Sequence, residues 1–338
     1  MTTFKNFLLL LCISISLQAY AQEKVTTREV LSLDKGWSFH KGDIPYPVIK
    51  GHNATYRNAK AGYVSGAASP NYDDSSWRVL DLPHDWAIEG TVNPDANLSQ
   101  GYRDRGFGWY RRKFKLDPED NGKHLEIQFD GISTHATIWV NGTVLHRNWC
   151  GYTSMYIDIT PYATYGDNIN TIAVRVDAEA QEGWWYEGAG IYRHTWLVKR
   201  SPLHIITDGV FAHPVKKNDN QWKIPVEVSL YNSGKLSADG EVEVTLFAPD
   251  GKQITTQSKA VSVTALREGI ANLPLTVSDP QLWSPDSPAL YKVKTTVKQN
   301  GTVTDEVETK CGFRTIRFDN NTGFWLNGEN IKIKGVCN

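Results

Sequence analysis

Thr137-Ile138-Trp139-Val140-Asn141-Gly142-Thr143-Val144-Leu145 is the stretch on which the fold turns. Asn-Gly between two β-prone runs is the composition of a two-residue hairpin turn, whose central residues both need a positive φ. The same texture spreads outward. Leu125, Ile127 and Phe129 alternate with Glu126, Gln128 and Asp130, and Ile172, Val174 and Val176 repeat the period of two. Such alternation describes half-buried antiparallel strands with one wet face. Almost nothing in residues 31–200 keeps a helical period. The economical fold for 31–200 is therefore a jelly-roll sandwich of about eight or nine strands.

Near Arg200-Ser201-Pro202 the texture changes: aromatic residues thin out, and Thr, Val, Lys and Glu take over. Val226, Val228 and Leu230 alternate, as do Val242, Val244 and Leu246, and Ala248-Pro249-Asp250-Gly251 turns the chain. Residues 203–313 read as an immunoglobulin-like sandwich. It lacks the paired cysteines of antibody domains and must rely on packing. A third unit opens over 315–338. Gly323-Phe324-Trp325-Leu326-Asn327-Gly328 carries a second Asn-Gly hairpin signal, and Ile331 and Ile333 read as a buried strand. That strand has no partner sheet in the sequence given, and an open apolar edge is an aggregation hazard. It reads as the opening of a further domain, so the chain reads as part of a longer protein.

The net charge of -1 and a pI near 6.8 give no electrostatic reason to expect nucleic acid or an anionic membrane as partner. Aromatic residues make up 11% of the chain, which suits aromatic-rich sandwich cores or a surface that stacks on flat ligands. Lys5, the apolar stretch Phe7 through Leu17 and the small-x-small site Ala19-Tyr20-Ala21 read as a signal peptide over 1–21, with Gln22 as the mature start. The apolar run is too short for a membrane span. The protein is expected to be exported, to a periplasm or the extracellular space. Cleavage removes Cys12 and leaves Cys150, Cys311 and Cys337, an odd and widely separated set that reads as inert thiols rather than a disulfide framework. No cysteine or histidine spacing suits zinc. There is no phosphate-binding or dinucleotide glycine pattern, no heptad and no internal repeat.

The most specific strings lie in order along the chain. They are Leu82-Pro83-His84-Asp85-Trp86, Trp109-Tyr110-Arg111-Arg112, Phe129-Asp130-Gly131-Ile132, Trp139-Val140-Asn141-Gly142, Gly151-Tyr152-Thr153, Asp158-Ile159-Thr160 and Gly188-Ala189-Gly190-Ile191-Tyr192-Arg193. Leu282-Trp283-Ser284-Pro285 and Gly312-Phe313-Arg314 follow. As an ordered set they resemble glycoside hydrolase family 2, the group of β-galactosidases, β-glucuronidases and β-mannosidases, over residues 31–338. The resemblance implies a jelly-roll sugar-binding domain, an immunoglobulin-like domain and then a (β/α)8 barrel that holds the active site, with Asn327 through Asn338 similar to the approach to the first barrel strand.

A retaining glycosidase needs two carboxyl groups about 5–5.5 Å apart. A barrel needs roughly 200 or more residues and carries its site at the strand C-termini. In the family both glutamates belong to the barrel, beyond position 338, so no catalytic residue is assigned. Glu182, Glu187 and Glu329 have no supported pairing. Three segments are candidate ligand contacts. In Glu182-Gly183-Trp184-Trp185-Tyr186-Glu187-Gly188, Trp184 and Trp185 offer flat apolar faces for a sugar and Glu187 a hydrogen-bond acceptor; the rival reading is packing between domains. In the long polar loop 88–108, Asn93 and Asp95 are the candidates, against an ordinary solvated loop. His84-Asp85-Trp86 pairs a histidine with a carboxylate, but no nucleophile elbow accompanies it. It reads as a turn in which Asp85 caps a backbone amide.

Two functional readings stand. In the first, this is the amino-terminal part of a secreted retaining exo-β-glycosidase, best matched to β-galactosidase, with β-glucuronidase or β-mannosidase as rivals within the family. Its substrate would be a β-linked oligosaccharide or glycan. The chemistry requires no cofactor, some relatives hold divalent cations near the site, and the full-length protein is open to homo-oligomer formation. The chain by itself is expected to be inactive. In the second, it is a non-catalytic secreted carbohydrate-binding protein.

Overall fold

The computed structural model describes residues 28–179 and 183–336, and it is all-β apart from short helical turns. The signal-peptide reading of 1–21, with Cys12, and the readings of Glu182 and Cys337 fall outside the described residues.

The Asn141-Gly142 turn forms as its composition requires, with φ of 49° and 74°. It joins His135–Val140 to Thr143–Asn148, with Val140 opposite Thr143. This hairpin is one edge of a six-stranded sheet that continues through Asn170–Asp177, Phe107–Phe114, Trp37–Lys41 and Arg78–Leu80. A four-stranded sheet packs against it in the order Glu29–Ser32, Thr195–Arg200, His124–Phe129, Met155–Asp158. Ile127, Phe129 and Leu197 from the smaller sheet share one core with Ile138, Val140, Ile172, Val174 and Val176 from the larger. The strand count exceeds the expected eight or nine. Short edge pieces such as the three-residue Arg78–Leu80 are too brief to show an alternation.

The expectation of one wet face holds only in part. Leu125, Ile127 and Phe129 are fully buried, but Glu126, on the opposite face, is only 8% exposed. The second sandwich covers it. Arg200 Nη2 donates to Glu126 at 3.0 Å, and the hydroxyl of Thr207, from beyond the junction, donates to the same carboxylate at 2.9 Å.

The second sandwich packs Leu203–Ala212, Val215–Lys216, Gln221–Asn232 and Arg267–Ser278 against Gln253–Val263, Ala238–Phe247, Tyr291–Gln299 and Thr302–Cys311. Val226, Val228 and Leu230 meet Val242, Val244 and Leu246 in its core. Cys311 lies in that core as a free thiol whose pKa burial pushes up to about 11, so it stays protonated and inert. Cys150 is also unpaired.

The third unit forms a small antiparallel meander, Ile316–Asp319, Gly323–Leu326 and Glu329–Asn330. Asn327 and Gly328 make the expected turn with φ of 52° and 85°. The Asn327 side chain also donates to Trp283 O at 3.0 Å and ties the meander to the second sandwich. The expectation of a buried strand at Ile331 and Ile333 is corrected. Residues 331–336 form no strand, and Ile333 is 68% exposed. An alternating pattern becomes a strand only when a sheet edge and an apolar face receive it, and none among the described residues does. No barrel strand is seen there.

Candidate functional site

Two loops at one end of the first sandwich meet through Gln100. Its amide Nε2 donates to Trp185 O at 2.8 Å, and its Oε1 accepts from the Glu187 amide at 3.1 Å. The Glu187 side chain is 1% exposed and faces inward: Arg105 Nη1 donates to its Oε2 at 2.9 Å. Arg105 is equally committed, donating through Nε to Gly188 O at 3.0 Å and through Nη2 to Thr134 Oγ1 at 2.7 Å. The structure therefore places Glu187 beneath the loop, in a buried ion pair, rather than on the surface that a sugar would touch.

Asp85 holds the same loop from the other side. Its Oδ1 accepts from the amides of Ala87 and Ala189, both at 2.9 Å, and its Oδ2 accepts from the Tyr186 hydroxyl at 2.6 Å. Burial, then the Asp85 carboxylate, raises the Tyr186 pKa, so the phenol remains a donor. Asp85 also caps the short helix Trp86–Glu89, as the turn reading expects. His84 is buried against Tyr110, with Nδ1 2.6 Å from the hydroxyl, and burial lowers its pKa. The fork of Arg78 on Glu89, at 2.6 and 2.7 Å, holds that carboxyl at about 2. His84 Nε2 lies 3.3 Å from Glu89 Oε1 without hydrogen-bond geometry, so the pair is a contact and not a catalytic couple.

Above this buried frame the aromatic rings stand free. Trp184 is 93% exposed and Trp185 56%. Two consecutive indoles both face solvent because the segment is not a strand. The Trp185 ring folds back over Gly183, where a Cβ would collide with it. Trp185 Nε1 donates to the Tyr152 hydroxyl at 2.7 Å, which couples this loop to the 149–154 loop. The Tyr192 hydroxyl adds a second tie, to Gly151 O at 2.8 Å. Tyr152, Tyr186 and Trp149 are exposed as well.

The other candidates behave differently from one another. Asn93 is used inside its loop: its Oδ1 accepts from the Asp95 amide at 3.0 Å, and its Nδ2 donates to Asp104 at 2.9 Å. Asp95 is exposed, and among the described residues its carboxylate has no hydrogen-bond partner. The loop borders an open cavity of about 420 Å³ lined by Asn97, Gln100, Arg103, Asp104, Arg105 and Glu179 among others. Among the described residues no group of three His, Cys, Asp or Glu side chains is placed to hold a metal, and no helix is long and apolar enough to cross a membrane. The arrangement is an exposed aromatic surface formed by Trp149, Tyr152, Trp184, Trp185 and Tyr186.

Two family models match the chain. The model for the glycosyl hydrolase 2 galactose-binding domain-like domain matches residues 92–203, and the model for glycosyl hydrolases family 2 matches 203–314. The chain belongs to glycosyl hydrolase family 2. It is 35% identical over 316 residues to a β-galactosidase of Bacteroides ovatus, covering 93% of this chain and 35% of that protein. It is 38% identical over 270 residues to a putative β-glucuronidase of Formosa agariphila, covering 79% of this chain and 25% of that one. The solved structure of a family 2 member from Bacteroides cellulosilyticus superposes with a TM-score of 0.78 at 34% identity, covering 90% of this chain and 38% of the other. The chain thus spans about a third of the length of the curated Bacteroides ovatus relative.

In this family 2 chain, Gln100, Arg105, Tyr152 and Tyr186 were not singled out from the sequence. Arg105 sits in a polar run, Arg103-Asp104-Arg105-Gly106, that reads as solvated loop. Its partner Glu187 is 82 residues away, and no local pattern announces a pairing at that distance.

Proposed function

We propose that this chain supplies the two amino-terminal sandwiches of an exported, retaining exo-β-glycosidase that acts on terminal β-galactosides, with Trp184 and Trp185 forming one wall of the sugar pocket. The observation that carries this reading is the pair of solvent-facing indoles fixed on the buried Glu187–Arg105–Gln100 frame, in a chain of this family. Trp185, whose Nε1 is tied to the Tyr152 hydroxyl, is the better pre-organised of the two and stacks on a sugar at the smaller entropic cost. Asp95 is the exposed acceptor offered by the 88–108 loop, and Asn93 shapes that loop. The two reacting carboxyl groups, about 5–5.5 Å apart in a retaining enzyme, come from outside these sandwiches. A galactoside is preferred to a glucuronide because the match to the Bacteroides ovatus β-galactosidase covers 93% of this chain and that to the Formosa agariphila putative β-glucuronidase 79%. No divalent cation is needed for the step itself.

The test compares the 338-residue chain with the full natural product of its gene on chromogenic β-galactoside and β-glucuronide. Turnover is expected only from a product that carries further residues, and preferentially on the galactoside. Turnover by the 338-residue chain overturns the assignment of the carboxyl groups; glycan binding without turnover by the full product favours the binding-protein reading. Amino-terminal sequencing of the exported protein is expected to start at Gln22.

Trp184→Ala is expected to weaken substrate binding roughly tenfold, the loss of one aromatic stacking contact of about 1–1.5 kcal/mol. Its melting temperature should move by no more than about 1–2 °C, because a side chain this exposed supports little of the fold. KM and a thermal melt check both. A drop of many degrees with unchanged KM would assign the indole to packing instead.

A further inference from the structure

Two histidines from different sandwiches meet at the junction. His124 opens the strand His124–Phe129 of the first, and His204 lies in Leu203–Ala212 of the second. Their ring centroids are 4.4 Å apart at an interplanar angle of 26°, and the residues are 4% and 1% exposed. Tyr231 sets its ring edge-on to both, 5.9 Å from each. The remaining ties across this junction are polar. Arg28 forks onto Asp305 at 2.9 and 2.7 Å and reaches Ile205 O at 2.6 Å. Arg200 and Gln128 reach Thr207, and the Tyr156 hydroxyl donates to Asp208 at 3.0 Å.

We propose that this junction is an acid-released latch: protonation of the stacked His124–His204 pair parts the two sandwiches while each remains folded. His204 Nδ1 sits 2.9 Å from Ser201 O and 3.1 Å from Pro202 O, so it carries the proton there, and the ring is neutral with Nε2 bare. A second proton would place a cation against the His124 ring and beside Arg200. Among the described residues, Arg200 Nε and Nη1 have no hydrogen-bond partner, so its charge is answered only through Nη2. The anions nearby offset this only in part, Asp158 and Glu126 acting on His124 against its burial. Glu126 is already paired with Arg200, Asp305 with Arg28, and Asp158 lies 3.8 Å from His124 Nδ1 with its side chain 43% exposed. The phenol of Tyr231 brings no charge. The two sandwiches keep separate apolar cores, so no shared core spans the junction, and the polar ties named above are what a buried charge would work against.

Burial lowers the pKa of both imidazoles, that of His204 to about 3 with the His124 ring and Arg200 adding to the effect. The closed junction therefore binds fewer protons than the parted one. The ratio of closed to parted forms is constant above about pH 6.5, where a solvated imidazole is neutral, and falls about tenfold per pH unit below it for His204 alone. The fall steepens as His124 joins. At neutral pH the latch holds the aromatic loops of the first sandwich in a fixed relation to the second, and in mild acid it releases them.

The test is small-angle scattering of the full chain from pH 7.5 to 4.5, with near-UV circular dichroism recorded on the same samples. The expected result is a radius of gyration that rises by several ångströms below about pH 6 while the near-UV signal persists. In His124→Phe/His204→Phe, which keeps two flat rings and removes both titrations, the dimensions should stay at the pH 7.5 value throughout. Constant dimensions in the natural protein overturn the proposal, as does a rise that coincides with loss of the near-UV signal, or a double variant that expands as the natural protein does. If the double variant does not fold, the natural protein's two profiles decide alone.

Discussion

Arg105→Met is expected to lower the unfolding free energy by about 3–5 kcal/mol, the usual cost of leaving a buried charge without its partner. Arg105 makes three hydrogen bonds, to Glu187, Thr134 and Gly188, and all three disappear. The larger part of the loss comes from Glu187, whose side chain is 1% exposed and would lose the cation that answers its charge. The double variant Arg105→Met/Glu187→Leu should therefore recover most of the stability, because the buried anion is removed with its cation. Urea unfolding of the natural protein, the single and the double variant checks this. A single variant within about 1 kcal/mol of the natural protein would mean that water reaches Glu187 readily and that the frame under Trp184 and Trp185 is not rigid. The same variants read function: the single change should raise KM in the full-length enzyme by loosening the indoles, and the double should restore it only in part, since Gln100 and Tyr152 then hold Trp185 without the ion pair beneath.

Gly190→Ala should be about as damaging, with an expected loss of about 3–5 kcal/mol. Gly190 has φ +126°, a backbone region that costs a side-chain-bearing residue about 1–3 kcal/mol. A Cβ there would also collide with the Tyr110 hydroxyl and lie 2.6 Å from His84 O. Overpacking of that kind adds about 1–3 kcal/mol. The backbone cannot step aside, because Gly190 N and O both bond Ser133 at 2.9 Å, and the flanking Ile191 and Ala189 carbonyls accept from His84 and Trp86. Gly122→Ala is the control: φ is +98°, but nothing lies within 4 Å of its Cβ, so only the backbone cost of about 1–3 kcal/mol remains. Denaturant unfolding, or the soluble fraction on expression if Gly190→Ala does not fold, separates the two.

These residues show how far the sequence carries. Asn141-Gly142 and Asn327-Gly328 are legible because a two-residue turn asks only for positive φ at two adjacent positions, and both pairs adopt it. Val226-Val228-Leu230 and Val242-Val244-Leu246 are legible because the two faces of a strand differ in polarity whatever lies beyond them. Glu126 was read as solvent-facing and is buried, because the second sandwich covers its face and supplies Thr207. Ile331 and Ile333 carry the pattern of a strand and form none. Within the candidate site, the exposed indoles were legible from a Trp-Trp pair between glycines that no strand would bury twice. The inward turn of Glu187 was not.

By itself the chain's sequence determined where the two Asn-Gly hairpins turn and that two β-sandwiches follow one another, because hydrophobic period and turn chemistry act between near neighbours. Only the tertiary structure decided which polar side chains are surface and which are frame. Glu187 with Arg105, Glu126 with Arg200 and Thr207, and His124 with His204 are separated by 74 to 82 residues. The desolvation that makes each contact matter arises only when distant strands close over it.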